Sequence, residues 1–357
     1  MSVVHVVVGA RPNLPKAAAL FRAQRPGGPE LQLVHTGQHT APAMAEGFAR
    51  ELGLPTPHLT LAPPPRGPTN LAHLTREYGR AVAAAPPRAT LVIGDVDSTL
   101  AATAAAVSHG VPVLHIEAGL RSAESAMRED ANRRVVDRLA TRLYTHSAPA
   151  TRALLDEGRL PSEIVQVGNL LCDAILHARQ RGASPEHPPE GPFALVTLHR
   201  PELVDHPDRL LDVLGGLTRL ADAMPVVFAV HPRTADRLTR IDWQAPPGVQ
   251  LLPPLLHSLF SWYLDEATLV VTDSGGVQEE ASCLGTPCLT VRPDTERPVT
   301  LESGTNRVVG RSGAALVENA LALLKAAAPT SSVIPGWDGH AAERLYEDLE
   351  QWLSRGR

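Results

Sequence analysis

The sequence predicts an α/β protein made of two parallel-sheet domains. Three observations lead there. At 357 residues the chain has room for two domains of roughly 150 residues each. Short β-branched apolar runs alternate with Ala/Leu-rich stretches of helical length, the grammar of βαβ units. And the order of elements in the first half recurs in the second.

The strands come first. Val3–Val8, Thr90–Ile93, Val111–Ile116, Ala194–Thr197, Pro225–Val230 and Thr268–Thr272 are continuous apolar runs of four to six residues, as expected for parallel strands covered on both faces. Helices are expected between them, including Ser98–Ser108 and Val277–Leu284. Residues 4–12 (VHVVVGARP) and 194–201 (ALVTLHRP) both run from a strand into a turn ending Arg-Pro, and TLVIGD (90–95) is nearly repeated as TLVVTD (268–273). Gly-Val-Pro (110–112) and Gly-Thr-Pro (285–287) then precede a further strand in each half. Two halves on one plan explain this order; generic βα grammar repeating itself is the alternative. The Pro-, Gly- and His-rich stretch near 168–192 marks the boundary, giving domains over 1–168 and 169–340. A final amphipathic helix, Ala341–Leu353, could join either.

Composition excludes several classes. With 43% hydrophobic and 20% charged residues the chain is globular rather than disordered. A net charge of −5 and a pI near 6.3 provide no field for nucleic acid. No apolar run approaches the ~18 residues of a membrane span, and MSVVHVVVGARPN lacks the features of a signal peptide, so a soluble cytoplasmic protein is expected. Cys172, Cys283 and Cys288 form no CxxC pair, which argues against a zinc site or a disulfide framework. Lysine occurs only at Lys16 and Lys325 among 33 basic residues, a bias ascribed to base composition.

In open α/β sheets ligands bind beyond the carboxyl ends of the strands, and chemically able residues gather there. Asp95 ends TLVIGD, Glu117 ends the next strand, and Glu129 opens a helix shortly after. His199 and Arg200 end the first strand of the second half, His231 another, and Asp273 ends TLVVTD. Each has a plain alternative: helix capping near Asp95, an ion pair of Glu117 with Arg121, a helix-terminal preference for Glu129. The turn Ser274-Gly275-Gly276 directly precedes a helix. Glycines allow close backbone approach, and the helix start offers unpaired N–H groups to an anion such as a diphosphate; the alternative is a tight turn and cap. Arg11 could reach the same anion across a cleft. Glu280, one helical turn on, could bind ribose hydroxyls or simply face solvent. Neither a P-loop nor a GxGxxG fingerprint is present. RPDTERP (292–298), held by two prolines, presents a fixed set of charges.

The ordered set GARPN (9–13), TGQH (36–39), GDVDST (94–99), HIEAGLRS (115–122), MREDANR (127–133), GN (168–169), TLHRPE (197–202), HPRT (231–234), TDSGGVQEE (272–280), RPDTERP (292–298) and SGTNRVVG (303–310) resembles the non-hydrolysing UDP-N-acetylglucosamine 2-epimerases. The resemblance implies two Rossmann-like domains in a GT-B-type arrangement, with the active site in the interdomain cleft and the C-terminal helix returning to the first domain. It implies interconversion of UDP-GlcNAc and UDP-ManNAc with no NAD and no metal, through loss of UDP to 2-acetamidoglucal and its re-addition. Carried over by position, it implies Asp95, Glu117, Glu129 and His199 as catalytic and Arg11, His231, Ser274, Gly275, Gly276 and Glu280 as UDP-binding. A homodimer is implied as well.

This chain departs from the family pattern in three places. Arg128-Glu129-Asp130 stands for Pro-Glu-Glu, and GDVDST for GDTTTT. The stretch 39–46 has none of the glutamines of members activated by UDP-GlcNAc, so no such activation is expected. The rivals are a 2-epimerase of a modified sugar such as UDP-2,3-diacetamido-glucuronate, a GT-B glycosyltransferase, and a nucleotide-sugar-binding regulator.

Overall fold

A computed structural model describes residues 2–37, 47, 49–63, 70–122, 128–302, 305–325 and 333–355. Gln38 and His39 of TGQH, the rest of the stretch 39–46, Met127, and Ser303 with Gly304 lie outside them. The chain divides into two compact units, Met1–Ala174 with Pro335–Arg357, and Ile175–Ile334.

The first unit is a seven-stranded parallel sheet. Its strands are β1 (Val3–Val8), β2 (Glu30–His35), β3 (Leu59–Thr60), β4 (Ala89–Ile93), β5 (Val113–Ile116), β6 (Arg142–Thr145) and β7 (Ile164–Gln166), in the order β3-β2-β1-β4-β5-β6-β7. Both faces are covered, which is why the central strands are apolar throughout. Val4, Val6 and Val8 point into one core with the helix Leu14–Ala23, whereas Val7 points into the other with Val92 and Val113. β1 pairs with β2 on one side and β4 on the other, Val6 lying opposite both Leu33 and Leu91. The chain therefore leaves β1 in one direction and returns on its other side, making the β1/β4 ends the topological switch point where α/β sheets bind ligands.

Gly9, just after β1, shows how crowded that point is. A Cβ there would come within 2.0 Å of Ser98 Oγ and 2.5 Å of Thr36 Oγ1. The helix Ala341–Arg355 belongs to this unit, packing its Leu345, Tyr346 and Leu349 into the first core. Tyr346 donates to the Pro29 carbonyl at 3.0 Å, Tyr144 donates to Asp348 at 3.0 Å, and Arg142 pairs with Asp348. Upstream, Gly168 has φ +94° and lies so close to Gly336 that a Cβ would meet its carbonyl oxygen at 1.9 Å.

The second unit is a six-stranded parallel sheet of β8 (Ala194–Thr197), β9 (Val226–Ala229), β10 (Val249–Leu252), β11 (Leu269–Thr272), β12 (Cys288–Thr290) and β13 (Asn306–Val308). Its order, β10-β9-β8-β11-β12-β13, matches the first six strands of the other unit when each is counted along the chain. β8 takes the place of β1, and β11 that of β4, so the repeated sequences VHVVVGARP/ALVTLHRP and TLVIGD/TLVVTD occupy equivalent strands. The stretch assigned to a boundary starts with a regular helix, Leu170–Gln180. Among the described residues no helix is long and apolar enough to cross a membrane.

Candidate active site

In the first unit the switch point gathers a charged group. The turn Arg11–Asn13 after β1 leaves Arg11 exposed and buries Asn13, whose Nδ2 donates to the Ile93 carbonyl at 3.0 Å. From the next helix Lys16 reaches across to Glu117, and both side chains are 8% exposed. Glu117 adopts φ +70°. An acid in the left-handed region is strained backbone of the kind that clusters at functional sites. Its amide, and that of Ala118, donate to the Tyr144 carbonyl at 3.1 and 3.2 Å, which holds the strained turn against β6. Gly94, with φ +71°, lies against it: a Cβ there would stand 3.4 Å from Glu117 Oε2 and 3.4 Å from Asn13 Oδ1. Beside the ion pair, a cavity of about 10 Å³ is lined by Lys16, Glu117, His146, Gly168 and Asn169, room for one water.

Asp95 follows Gly94 and pairs with Arg133, whose side chain is 1% exposed. Asn132 donates to the Asp95 carbonyl at 3.0 Å and to Asp97 Oδ1 at 3.2 Å. Glu129 sits in the first turn of the same helix, Arg128–Leu139. Three and four residues before Asn132 and Arg133, it shares their helix face, and it is exposed with no ion pair among the described residues.

Two plain alternatives fail. The helix Asp97–Ser108 has Val96 at its N-cap and no side-chain cap. Arg121 pairs with Asp137 at 2.8 Å and Glu157 at 2.6 Å, so the partner of Glu117 is Lys16. Two of the three departures from the family pattern also meet, Arg128 Nη2 lying 2.8 Å from Asp97.

In the second unit the ends of β8, β9 and β11 carry the candidates. Asp273 is 0% exposed and accepts the amides of His199, at 2.9 and 3.0 Å to its two oxygens, and of Arg200 at 2.8 Å. His199 Nδ1 lies 3.1 Å from the same carboxylate. Donation from Nδ1 to that carboxylate leaves Nε2 as the ring's other nitrogen, facing away from Asp273. The His231 ring centroid is 5.3 Å from that of His199, and His231 caps the helix Pro232–Arg240 by accepting the Arg233 amide at 3.2 Å.

Ser274 is the N-cap of the helix Gly275–Leu284 and accepts the Val277 amide at a long 3.5 Å. Gly275 lies close against a neighbour, a Cβ there standing 2.6 Å from the Arg297 guanidinium. A buried cation therefore lies beside the helix start, adding to its positive dipole end. Gly276 is half-buried. Glu280 is buried rather than solvent-facing, at 7% exposure with His257 Nε2 at 3.5 Å.

RPDTERP forms an ion network beside this turn. Arg292 pairs with Glu296 at 3.0 Å, and Arg297 with Glu279 at 2.9 Å and with Glu296. Arg200 Nε, Gln278 Nε2, Arg292 Nη1 and both Asp294 carboxylate oxygens are buried without a hydrogen-bond partner among the described residues. Orphaned buried donors and acceptors are uncommon in native structures, and their concentration at this rim is what a polar-ligand site requires. No group of three or more His, Cys, Asp or Glu converges as a metal site among the described residues.

The family model for UDP-N-acetylglucosamine 2-epimerase matches residues 22–350. The chain belongs to this family. It is 35% identical over 352 residues to the UDP-2,3-diacetamido-2,3-dideoxy-D-glucuronate 2-epimerase of Pseudomonas aeruginosa, covering 96% of this chain and 98% of that one. It is 31% identical to the UDP-N-acetylglucosamine 2-epimerase of Methanocaldococcus jannaschii, covering 88% and 90%. A crystal structure of the M. jannaschii UDP-GlcNAc 2-epimerase in complex with UDP-GlcNAc and UDP superimposes with a TM-score of 0.88 at 29% identity, covering 97% of this chain and 99% of that chain.

The sequence did not single out Lys16 and Arg133, the ion-pair partners of Glu117 and Asp95, as candidates. One signal existed for Lys16: in a chain whose cations are almost all arginine, a lysine in the first helix marks a place where a compact ammonium is needed rather than a planar fork. Arg133 had no comparable signal, because RRVVDR reads as an ordinary solvated helix face.

Proposed function

We propose that the protein interconverts the C2 epimers UDP-GlcNAc and UDP-ManNAc by eliminating and re-adding UDP. A carboxylate among Asp95, Glu117 and Glu129 takes the C2 proton, the C1–O bond to UDP breaks, and 2-acetamidoglucal forms with a C1=C2 double bond. UDP then adds back to C1 while C2 receives a proton on the opposite face. The reaction is redox-neutral, and its demands are proton transfer beside the sugar and donors for the departing diphosphate.

The first unit supplies the acids. Ser274, Gly275, Gly276, His231 and Arg11 serve the diphosphate. Glu280 serves the ribose, and His199 is a further proton carrier. The observation that carries this reading is the pairing of two strand-end carboxylates, Glu117 with Lys16 and Asp95 with Arg133, at the switch point of one sheet. A binding regulator has no use for that arrangement.

The second reading, a 2-epimerase of a diacetamido-uronate, is favoured by the 35% identity over nearly the whole chain to such an enzyme. Incubation with each UDP-sugar, following the C2 configuration by proton NMR, separates the two. Inversion of UDP-GlcNAc supports the first, inversion of the uronate alone supports the second, and inversion of neither refutes both. A glycosyltransferase would need an acceptor; the 2-epimerase needs none.

A further inference from the structure

His115 lies on β5 and is 0% exposed. Its Nε2 is 2.9 Å from the Gly94 carbonyl oxygen and its Nδ1 is 2.7 Å from Asp137 Oδ1. A carbonyl can only accept, so Nε2 carries a proton. Asp137 is ion-paired to Arg121 at 2.8 Å and accepts the Gly119 amide at 3.2 Å; an ionised carboxylate also only accepts, so Nδ1 carries a proton too. With both nitrogens donating, the ring is an imidazolium.

The surrounding charges agree. From His115 the contacts alternate in sign through Asp137, Arg121, Glu157, Arg134 and Asp130, with Arg134 at 2.7 Å from both Glu157 and Asp130. Three cations meet three anions. Burial alone would raise the Asp137 carboxyl, but the His115 ring and the Arg121 guanidinium outweigh it and hold that group below the usual carboxylate range.

One acceptor of His115 belongs to the turn that bears Asp95; the other, Asp137 on the helix Arg128–Leu139, holds the turn that bears Glu117. Gly94 immediately precedes Asp95. Asp137 grips the Gly119 amide two residues beyond Glu117, and Gly119 admits no side chain, a Cβ there falling 2.2 Å from the Ala150 carbonyl oxygen. A neutral imidazole has one N–H and could donate to only one of these partners. We propose that His115 is a positioning residue that works as a buried imidazolium, tying the Asp95 turn to the Glu117 turn and so setting the spacing of the two carboxylates. This rests on the epimerase reading for the role of those acids, while the ring's protonation stands apart from it.

Two measurements test it. In protein labelled with 15N-histidine, with His115→Asn for assignment, the His115 resonances at about pH 7.5, where an ordinary histidine is neutral, should report two protonated ring nitrogens. A neutral ring overturns the proposal. His115→Gln and Asp137→Asn should each lower kcat by at least about tenfold, the scale expected when reacting groups are slightly misplaced. KM for the UDP-sugar should stay within about threefold of the parent value, since no contact to substrate is removed. Parent-like kcat in both variants, or a rise in KM at unchanged kcat, overturns it. Should His115→Gln fail to fold, the NMR result and Asp137→Asn still decide. If the parent protein itself turns over no UDP-sugar, the functional reading fails, yet the ring's charge is still determined.

Discussion

Two aspartates end equivalent strands in the two units and are held in different ways. Asp95 follows β4 and Asp273 follows β11, each after the same TLV-x-x-Asp run. Asp273 is fully buried and spends both oxygens on the amides and ring of the neighbouring β8 turn. Asp95 keeps its side chain 21% exposed and faces one cation, Arg133. The intervening glycine accounts for much of the difference. Gly94 carries the β4 turn through φ +71°, whereas Thr272 continues extended strand up to Asp273. A duplicated fold thus retains an acid at the same topological point, spent as scaffold in one unit and, on the proposed reading, used for chemistry in the other. Sequence similarity between the halves predicts position, and the local hydrogen-bond partners decide the role.

The largest effect should come from the chemical side of that contrast. Asp95→Asn, Glu117→Gln and Lys16→Gln should each lower turnover at least ~100-fold while UDP binding persists, given the usual worth of acid–base groups. Parent-like turnover in Asp95→Asn, checked by steady-state kinetics, would make the two aspartates alike after all. Next is acid sensitivity, expected to reside in the first unit. His5 is buried against Tyr78 at 3.0 Å, and burial with neighbouring His58 lowers its pKa to about 4 from 6.5. Between those values the unfolded chain binds a proton that the folded chain does not, so stability is lost as pH falls from 6.5 to about 4. The loss is on the order of 3 kcal/mol, fully spared at pH 7. Chemical denaturation across that range should show the slope, and His5→Gln should flatten it.

Asp273→Asn should act on stability, by about 1–3 kcal/mol, because an amide cannot accept from every donor that the carboxylate satisfies. Thermal unfolding checks it. A variant with unchanged stability and lost turnover would move Asp273 to the chemical side. The smallest effect is expected from Ser274→Ala, about 1 kcal/mol for a lost N-cap together with weaker UDP binding by calorimetry. Unchanged UDP affinity would reduce the turn to a cap.

Much of this is legible in the sequence. Apolar runs ending in Asp or Glu marked β4, β5 and β11, since a parallel strand covered on both faces has no other place for an acid. Shorter strands such as Leu59–Thr60 and Asn306–Val308 left no such run, and Leu170–Gln180 was hidden because its apolar turns lead straight into a Pro-rich segment. Partners were harder to see than positions. Lys16 and Glu117 are 101 residues apart in sequence, and only the β1–β4–β5 pairing brings them together. For Glu280 the sequence left ribose binding and a solvent-facing position both open, because helix periodicity does not reveal the layer packed on that face.

The most direct test is turnover of UDP-GlcNAc in D2O with no cofactor, metal or acceptor added, followed by proton NMR. Deuterium should enter C2 of both UDP-GlcNAc and UDP-ManNAc as they approach equilibrium, and Asp95→Asn should suppress it. Epimerisation without deuterium at C2, or no exchange in any UDP-linked 2-acetamido sugar, would contradict proton transfer by the strand-end carboxylates.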